Sequence, residues 1–229
     1  MDVKTSARSR ILDAAERLFA ARGVADVSLR EINSAAEQRN KSAVQYHFGT
    51  REALVRALYE DRLGPLNQRR WELLNALPEE QRGDLRALVQ VQVQPLAERV
   101  RDARGSSCYM RFIHRFTMGS GVLDLDPPDP GSGLDRPLGP EYTSARHKVT
   151  ELVVRRLGHL PADIRAERLR LMTFTIGSCL ADIEARLEQG HELPMPFDRI
   201  VTDLVDATLG LLTAPSTRPA TTRPGKEPT

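Results

Sequence analysis

Tyr46, His47 and Phe48 stand together in a chain that is only 5% aromatic. They lie within a stretch, Arg39 to Arg51, that holds three cations and no acid. Net charge is +2, so any basic surface has to be local. Residues of these types suit a polyanion. Lys41 and Gln45 can reach base edges, while Tyr46, His47, Thr50, Arg39 and Arg51 suit phosphate oxygens. Helical spacing sorts them further: Val44 and Phe48 fall at i and i+4 and face inward, with Lys41 and Gln45 opposite. Ser42 and Tyr46 lie beside that outer face, and Asn40 precedes it. Phe48 is therefore expected to fill the core while Tyr46 and His47 look outward. A second phosphate site is expected where Ser28 caps a helix start followed by Arg30. Lys4, Arg8 and Arg10 add a basic arm.

Short helices are needed to hold these side chains. Almost every segment has helical period and none alternates like a strand, so an all-α fold is expected. Residues 6–22 place Ile11, Ala15, Leu18 and Phe19 on one face and charges on the other, with Gly23 as the stop. In VSLREINSAAE, Ser28 and Glu31 form an S-x-x-E capping box before Leu29, Ile32 and Ala36. This second helix ends near residue 37, and a third runs from Lys41 to Phe48, stopped by Gly49. Two short helices so closely spaced are the layout of a helix-turn-helix, whose second helix enters the major groove. Thr50 caps a long fourth helix reaching past Trp71 towards Leu77, which Pro65 is expected to bend or interrupt.

Helices over 82–103, disturbed by Pro95, and 106–118 come next. Residues 119–140 then break the pattern with five glycines and five prolines, and so long a loop is either functional or disordered. Helical period resumes over 141–159, 161–189 and 197–213. The last two have apolar coverage well beyond one face, where a surface helix needs one face only. Either a large core or a dimer interface must cover the excess. The tail, 214–229, has four prolines and no Leu, Ile, Val or Phe, the composition of a disordered segment. The expected division is a DNA-binding domain over 1–50, a larger helical domain over 51–213, and that tail.

Other classes find little support. Cys108 and Cys179 are isolated, which suits a reducing compartment rather than a disulfide framework. His147, His159 and His191 have no metal-ligand spacing with each other or with the cysteines, so neither metal nor cofactor is expected. No secretory core occurs in MDVKTSARSR and no apolar run reaches about 18 residues, so the reading is cytoplasmic, with no membrane partner. No nucleophile–base–acid set is visible, which argues against an enzyme.

A ligand pocket is legible only in outline. Segment 108–118, CYMRFIHRFTM, opens with Cys108 and puts Tyr109, Phe112, Ile113 and Phe116 on an apolar face. Trp71, Met172 and Phe174 are candidates to complete the cavity, with plain core as the competing reading for each. Arg111, His114 and Arg115 fit either an acidic ligand or a solvated face.

The run Ser42-Ala43-Val44-Gln45-Tyr46-His47-Phe48-Gly49-Thr50-Arg51-Glu52-Ala53-Leu54 resembles the end of the DNA-binding domain in the tetracycline-repressor (TetR) family. The likeness covers roughly residues 6–60; beyond them only length and helical layout agree. It implies a homodimer joined through the last two long helices and an effector cavity in the C-terminal domain. It also implies that effector binding moves the fourth helix and changes the spacing of the two recognition helices. The candidate interface comprises Ile176, Leu180, Ile183 and Leu187 from one helix, and Val201, Leu204, Val205, Leu209 and Leu212 from the other. One departure stands out. Ala36-Glu37-Gln38-Arg39-Asn40 is one residue longer than the family's usual turn, with Glu37 near the customary glycine.

The leading expectation is thus a ligand-responsive regulator, most simply a repressor, that binds a palindromic operator in double-stranded DNA and is released by a small hydrophobic effector. An activator of the same build is one alternative. A helical small-molecule binder whose helix-turn-helix end contacts protein is another.

Overall fold

The computed structural model describes residues 6–38, 42–120 and 138–216, with the backbone alone over 116–120. Most of the expected loop at 119–140 and of the tail at 214–229 lies outside the described residues, as do Lys4, Arg39, Asn40 and Lys41. The described residues form nine α-helices, one 3-10 turn at Glu79–Gln81 and no strand.

The N-terminal bundle is α1 (Ala7–Arg22), α2 (Leu29–Ala35) and α3 (Ala43–Phe48). Ser6 caps α1 by accepting from the Ser9 amide at 3.1 Å. Gly23 ends it at φ 93°, where its N–H reaches the Phe19 carbonyl. Only glycine takes such a φ without strain. The Ser28–Glu31 capping box forms in both directions. Beyond α2 the chain turns through Glu37 at φ 51°, a left-handed conformation on a residue with a Cβ. Ile11, Leu12, Phe19, Ile32 and Val44 make this interior, all nearly inaccessible.

Helix α4 (Arg51–Ala76) is capped by Thr50 as expected, and it runs without a break past Pro65. Pro65 removes the N–H that would bond the Asp61 carbonyl, but both residues lie on the exposed side. Water can solvate that carbonyl, so the helix continues. The N-terminal half of α4 buries Leu54, Val55, Leu58 and Tyr59 and contacts α1 and α3, whereas its largest contact overall is with α7 (Pro140–Arg156). The expected boundary after residue 50 therefore falls at the start of a helix that both regions share. Asn67 fixes α4 to α7: its amide donates to the Glu141 carbonyl at 2.9 Å, and its oxygen accepts from the Ala145 N–H at 2.8 Å.

The rest is α5 (Leu85–Ala103), α6 (Tyr109–Ser120), α8 (Ala162–Glu188) and α9 (Phe197–Thr213), with α6 on α8 and α1, and α9 on α5 and α8. This packing corrects the expected interface set. Ile176, Leu180, Ile183, Leu204, Val205 and Leu212 are all buried within the chain's own core. Of the nine, only Leu187, Val201 and Leu209 keep half-exposed side chains. The broad apolar coverage of α8 and α9 is largely taken up by α5 and α6. No helix among the described residues is long and apolar enough to cross a membrane.

Candidate nucleic-acid interface and neighbouring cavity

Helix α3 has six residues, buries only Ala43 and Val44, and has no side-chain cap from Ser42. So short a helix has little stability of its own. Its position comes from α2, where buried Asn33 accepts from the Val44 N–H at 3.3 Å. One turn of α3 is thereby set against α2, and the opposite face is left to solvent. Gln45, Tyr46 and His47 are exposed, Tyr46 at 83%. The Tyr46 and His47 rings meet edge to face at 5.2 Å. Ser42 is exposed at the start of the helix.

Other members of the candidate set carry local structural duties. Ser28 caps α2, and Thr50 caps α4. Arg51 turns back to donate to the carbonyls of Val24 and Ala25 at 3.3 and 3.1 Å, tying the α1–α2 loop to the start of α4. Arg30 is exposed on α2. Phe48 departs from expectation. It is only half-buried, resting against the core's edge with the Arg8 guanidinium 5.5 Å from its ring centre. It closes the bundle rather than filling it, because Phe19 and Ile32 already occupy the centre.

Glu31 is held down to about 2 by the Ser28 backbone and side-chain hydrogen bonds, with Arg22 also bonded at 2.7 Å. The carboxylate is ionised at any ordinary pH and keeps the α2 start closed. As it occupies the Ser28 N–H, that amide is engaged within the chain.

A second buried carboxylate joins this bundle to the body. Glu16 was expected on the charged outer face of α1, yet it is 4% exposed because α4 and the α5–α6 connection cover it. It accepts from Arg62 Nε at 2.8 Å and from the Cys108 N–H at 2.9 Å. On α8, Glu184 accepts from the N–H groups of Met110 and Arg111 at 3.2 and 3.0 Å, while Ser107 Oγ accepts from Tyr109. The four amides at the start of α6, which have no partner within a helix, are thus all bonded by side chains. Two of those side chains are carboxylates at the positive end of the helix dipole. Burial pushes Glu184 upward, a cost that these hydrogen bonds oppose. The Cys108 thiol is pushed up to about 12, chiefly by burial, and stays protonated.

Directly beside α6 lies a cavity of ≈ 100 Å³. Tyr109, Met110 and Ile113 of α6 line it, facing Leu169, Met172 and Ile176 of α8. Arg70, Gln92, Arg146 and Thr150 supply polar groups from α4, α5 and α7. Among the described side chains expected at the pocket, Tyr109, Ile113 and Met172 line this cavity. Phe112 packs between Phe19 and Tyr59, at 6.0 and 5.4 Å, where α6 meets α1 and α4. Trp71 bonds Ser144 on α7, and Cys108 lies beside Glu16 and Glu188. Phe174 is half-buried on another face of α8, under the Arg170 guanidinium. The Phe116 side chain lies outside the description. Ile176, assigned by its spacing to the interface set, is instead a cavity wall. Arg111 pairs with Glu188 at 2.6 Å, which leaves it a structural role.

The polar cavity residues escaped the sequence reading, although Gln92 left a trace. It interrupts an otherwise apolar face among Leu88, Val89 and Val93, and is 6% exposed. Its amide reaches Thr150 Oγ1 at 3.3 Å. A glutamine on a core face of this kind marks a buried polar site.

A small helix seated by its predecessor, with its polar face outward, on an all-helical body that encloses a cavity defines a helix-turn-helix DNA-binding protein. Residues 11–58 match the family model described as bacterial regulatory proteins, tetR family. The chain is a DNA-binding transcriptional regulator with a tetR-family N-terminal domain. The match ends inside α4, and no curated protein matches the chain.

Proposed function

We propose that this protein is a cytoplasmic, ligand-responsive repressor that binds a palindromic operator as a homodimer and leaves it when a small effector enters the cavity beside α6. The exposed Gln45–Tyr46–His47 face of α3 carries the DNA part of this reading. Gln45 faces base edges, and Tyr46 and His47 flank it towards phosphates. Two copies of α3 would enter successive major grooves roughly 34–36 Å apart. For the dimer, Leu171 and Phe174 of α8 and Leu209 of α9 offer half-exposed apolar side chains that the chain's own core leaves uncovered. Release would pass through α6, since its first turn is bonded both to α1 through Glu16 and to α8 through Glu184.

Fluorescence anisotropy against DNA flanking the coding region, at two salt concentrations with nonspecific competitor, tests the reading. One dimer per short palindrome, resistant to competitor and weakened by salt, is expected. Tyr46→Phe should lower operator affinity with the thermal midpoint unchanged. Binding that competitor abolishes, or none at low salt, would overturn the reading.

A further inference from the structure

We infer that Asn33 is the positioning residue of the recognition helix: it fastens both ends of the turn between α2 and α3, and so sets which side chains of α3 meet base edges. This role rests on the operator-binding reading above. It makes Asn33 a determinant of sequence preference that does not itself touch DNA.

Asn33 lies two residues before the end of α2 and is 4% exposed. Its two oxygens serve opposite ends of the turn. The main-chain carbonyl accepts from the Gln38 N–H at 3.2 Å, while the Glu37 N–H reaches the Ser34 carbonyl at 3.1 Å. With Glu37 in the left-handed conformation, this pair of bonds is a Schellman motif, and it closes α2. The side-chain oxygen of Asn33 accepts from the Val44 N–H at 3.3 Å, inside α3. Val44 is the second residue of that helix, a place where an N-cap side chain bonds. Ser42, at the cap itself, makes no such bond. Asn33 therefore caps α3 from the preceding helix, and one residue grips the entry and the exit of the connection 36–42.

Val44 is thereby held twice. Its side chain is 2% exposed and its N–H is bonded to Asn33. A helix pinned at one residue by both side chain and amide keeps its depth and its rotation. Each later residue follows about 100° further round, so Gln45, Tyr46 and His47 leave the axis in fixed directions. All three are exposed. The residue type fits this duty. Burying an amide costs desolvation that an apolar side chain would avoid. An apolar side chain would fill the space, however, and bond no N–H. A polar residue at a core position trades stability for a single register, as a buried asparagine does in coiled coils.

Positioning and mere support leave different signatures. If Asn33 only strengthened the bundle, its loss would unfold a fraction of the molecules and weaken all DNA binding by one factor. If it orients α3, its loss removes base contacts and spares phosphate contacts, so the preference among sequences falls.

Selection from a randomised duplex library with the full wild-type chain supplies the probe. The enriched sequence and a scrambled duplex of equal composition are then titrated by anisotropy against each variant, with the thermal midpoint recorded. Asn33→Leu keeps the bulk and loses the acceptor. It should cut the ratio of the two affinities about tenfold, the scale of one lost base contact, and change the scrambled affinity by less than about twofold. Asn33→Ala gives the same test if Asn33→Leu does not fold. Asn33→Asp, which keeps an oxygen in place, should retain the preference, because any penalty from its charge falls on both duplexes alike. In hydrogen exchange without DNA, the Val44 amide should lose protection in Asn33→Leu and keep it in Asn33→Asp. An unchanged ratio without the acceptor, equal losses on both duplexes, or a Val44 amide as protected as in wild type would each overturn the assignment. A wild type that enriches no sequence would instead sink the operator reading, and this role with it.

Discussion

The α1–α3 bundle and the α5–α8 body treat their interiors differently. Around Ile11, Phe19, Ile32 and Val44 the bundle is filled, and its buried polar groups Glu16 and Asn33 accept from the backbone N–H groups of Cys108 and Val44. The body encloses space, and places arginine, glutamine and threonine around it. A filled interior holds one geometry, which a recognition surface requires. A hollow one can be repacked by what enters it, as the proposed effector response requires. The same chain obtains both because α4 and the start of α6 connect the two regions through directed hydrogen bonds.

The largest expected effect probes packing on either side of that contrast. Phe112→Ala, between Phe19 and Tyr59, should cost about 3–5 kcal/mol in denaturant unfolding. Met172→Ala, at a wall already facing space, should cost about 2 kcal/mol, near the bottom of the range for such truncations. Equal losses would break the distinction between filled and hollow. Next is the connection itself. Glu16→Gln should destabilise by about 3 kcal/mol, at the low end for breaking a buried pair, because Arg62 retains Asp13 and Asp61. It should also reduce operator affinity if α1 is displaced, which anisotropy and denaturation together would separate.

A smaller effect has the opposite sign. Glu37→Gly should stabilise the protein by about 1 kcal/mol, since the left-handed turn after α2 suits glycine. A loss of stability would mean that the turn owes its shape to the glutamate side chain. The slightest effect is a dependence on pH. The folded-state value of Glu31 is depressed, so its contribution is present above its ordinary value of 4.5 and disappears as pH falls towards about 2. Glu31→Gln should flatten that limb of the acid unfolding curve and leave the limb above pH 4.5 parallel to wild type.

What the sequence disclosed follows from whether a signal is local. The Gly23 stop, the Ser28–Glu31 box, the Thr50 cap and the inward Val44 each depend on neighbours a few residues away, and all are present. Glycine's customary place in the turn also pointed to Glu37, which does adopt positive φ. The rest depended on distant elements. Glu16 reads as a surface residue on α1 until α4 and α6 cover it. Phe112 and Phe174 share apolar character with Tyr109 and Met172, yet one packs where α6 meets α1 and α4 and the other is half-buried under Arg170. Periodicity finds the buried face of a helix; it does not say whether a neighbour or a cavity covers it.

One contact gives the molecule a property of another kind. Trp71 is the chain's single tryptophan, and its indole N–H bonds Ser144 Oγ at 3.1 Å, across the interface of α4 and α7. It lines no part of the cavity beside α6. Its emission therefore reports how α4 sits on α7 without direct quenching by an occupant of that cavity. The protein carries its own optical gauge at the helix that links its two regions, readable in a cuvette without a label.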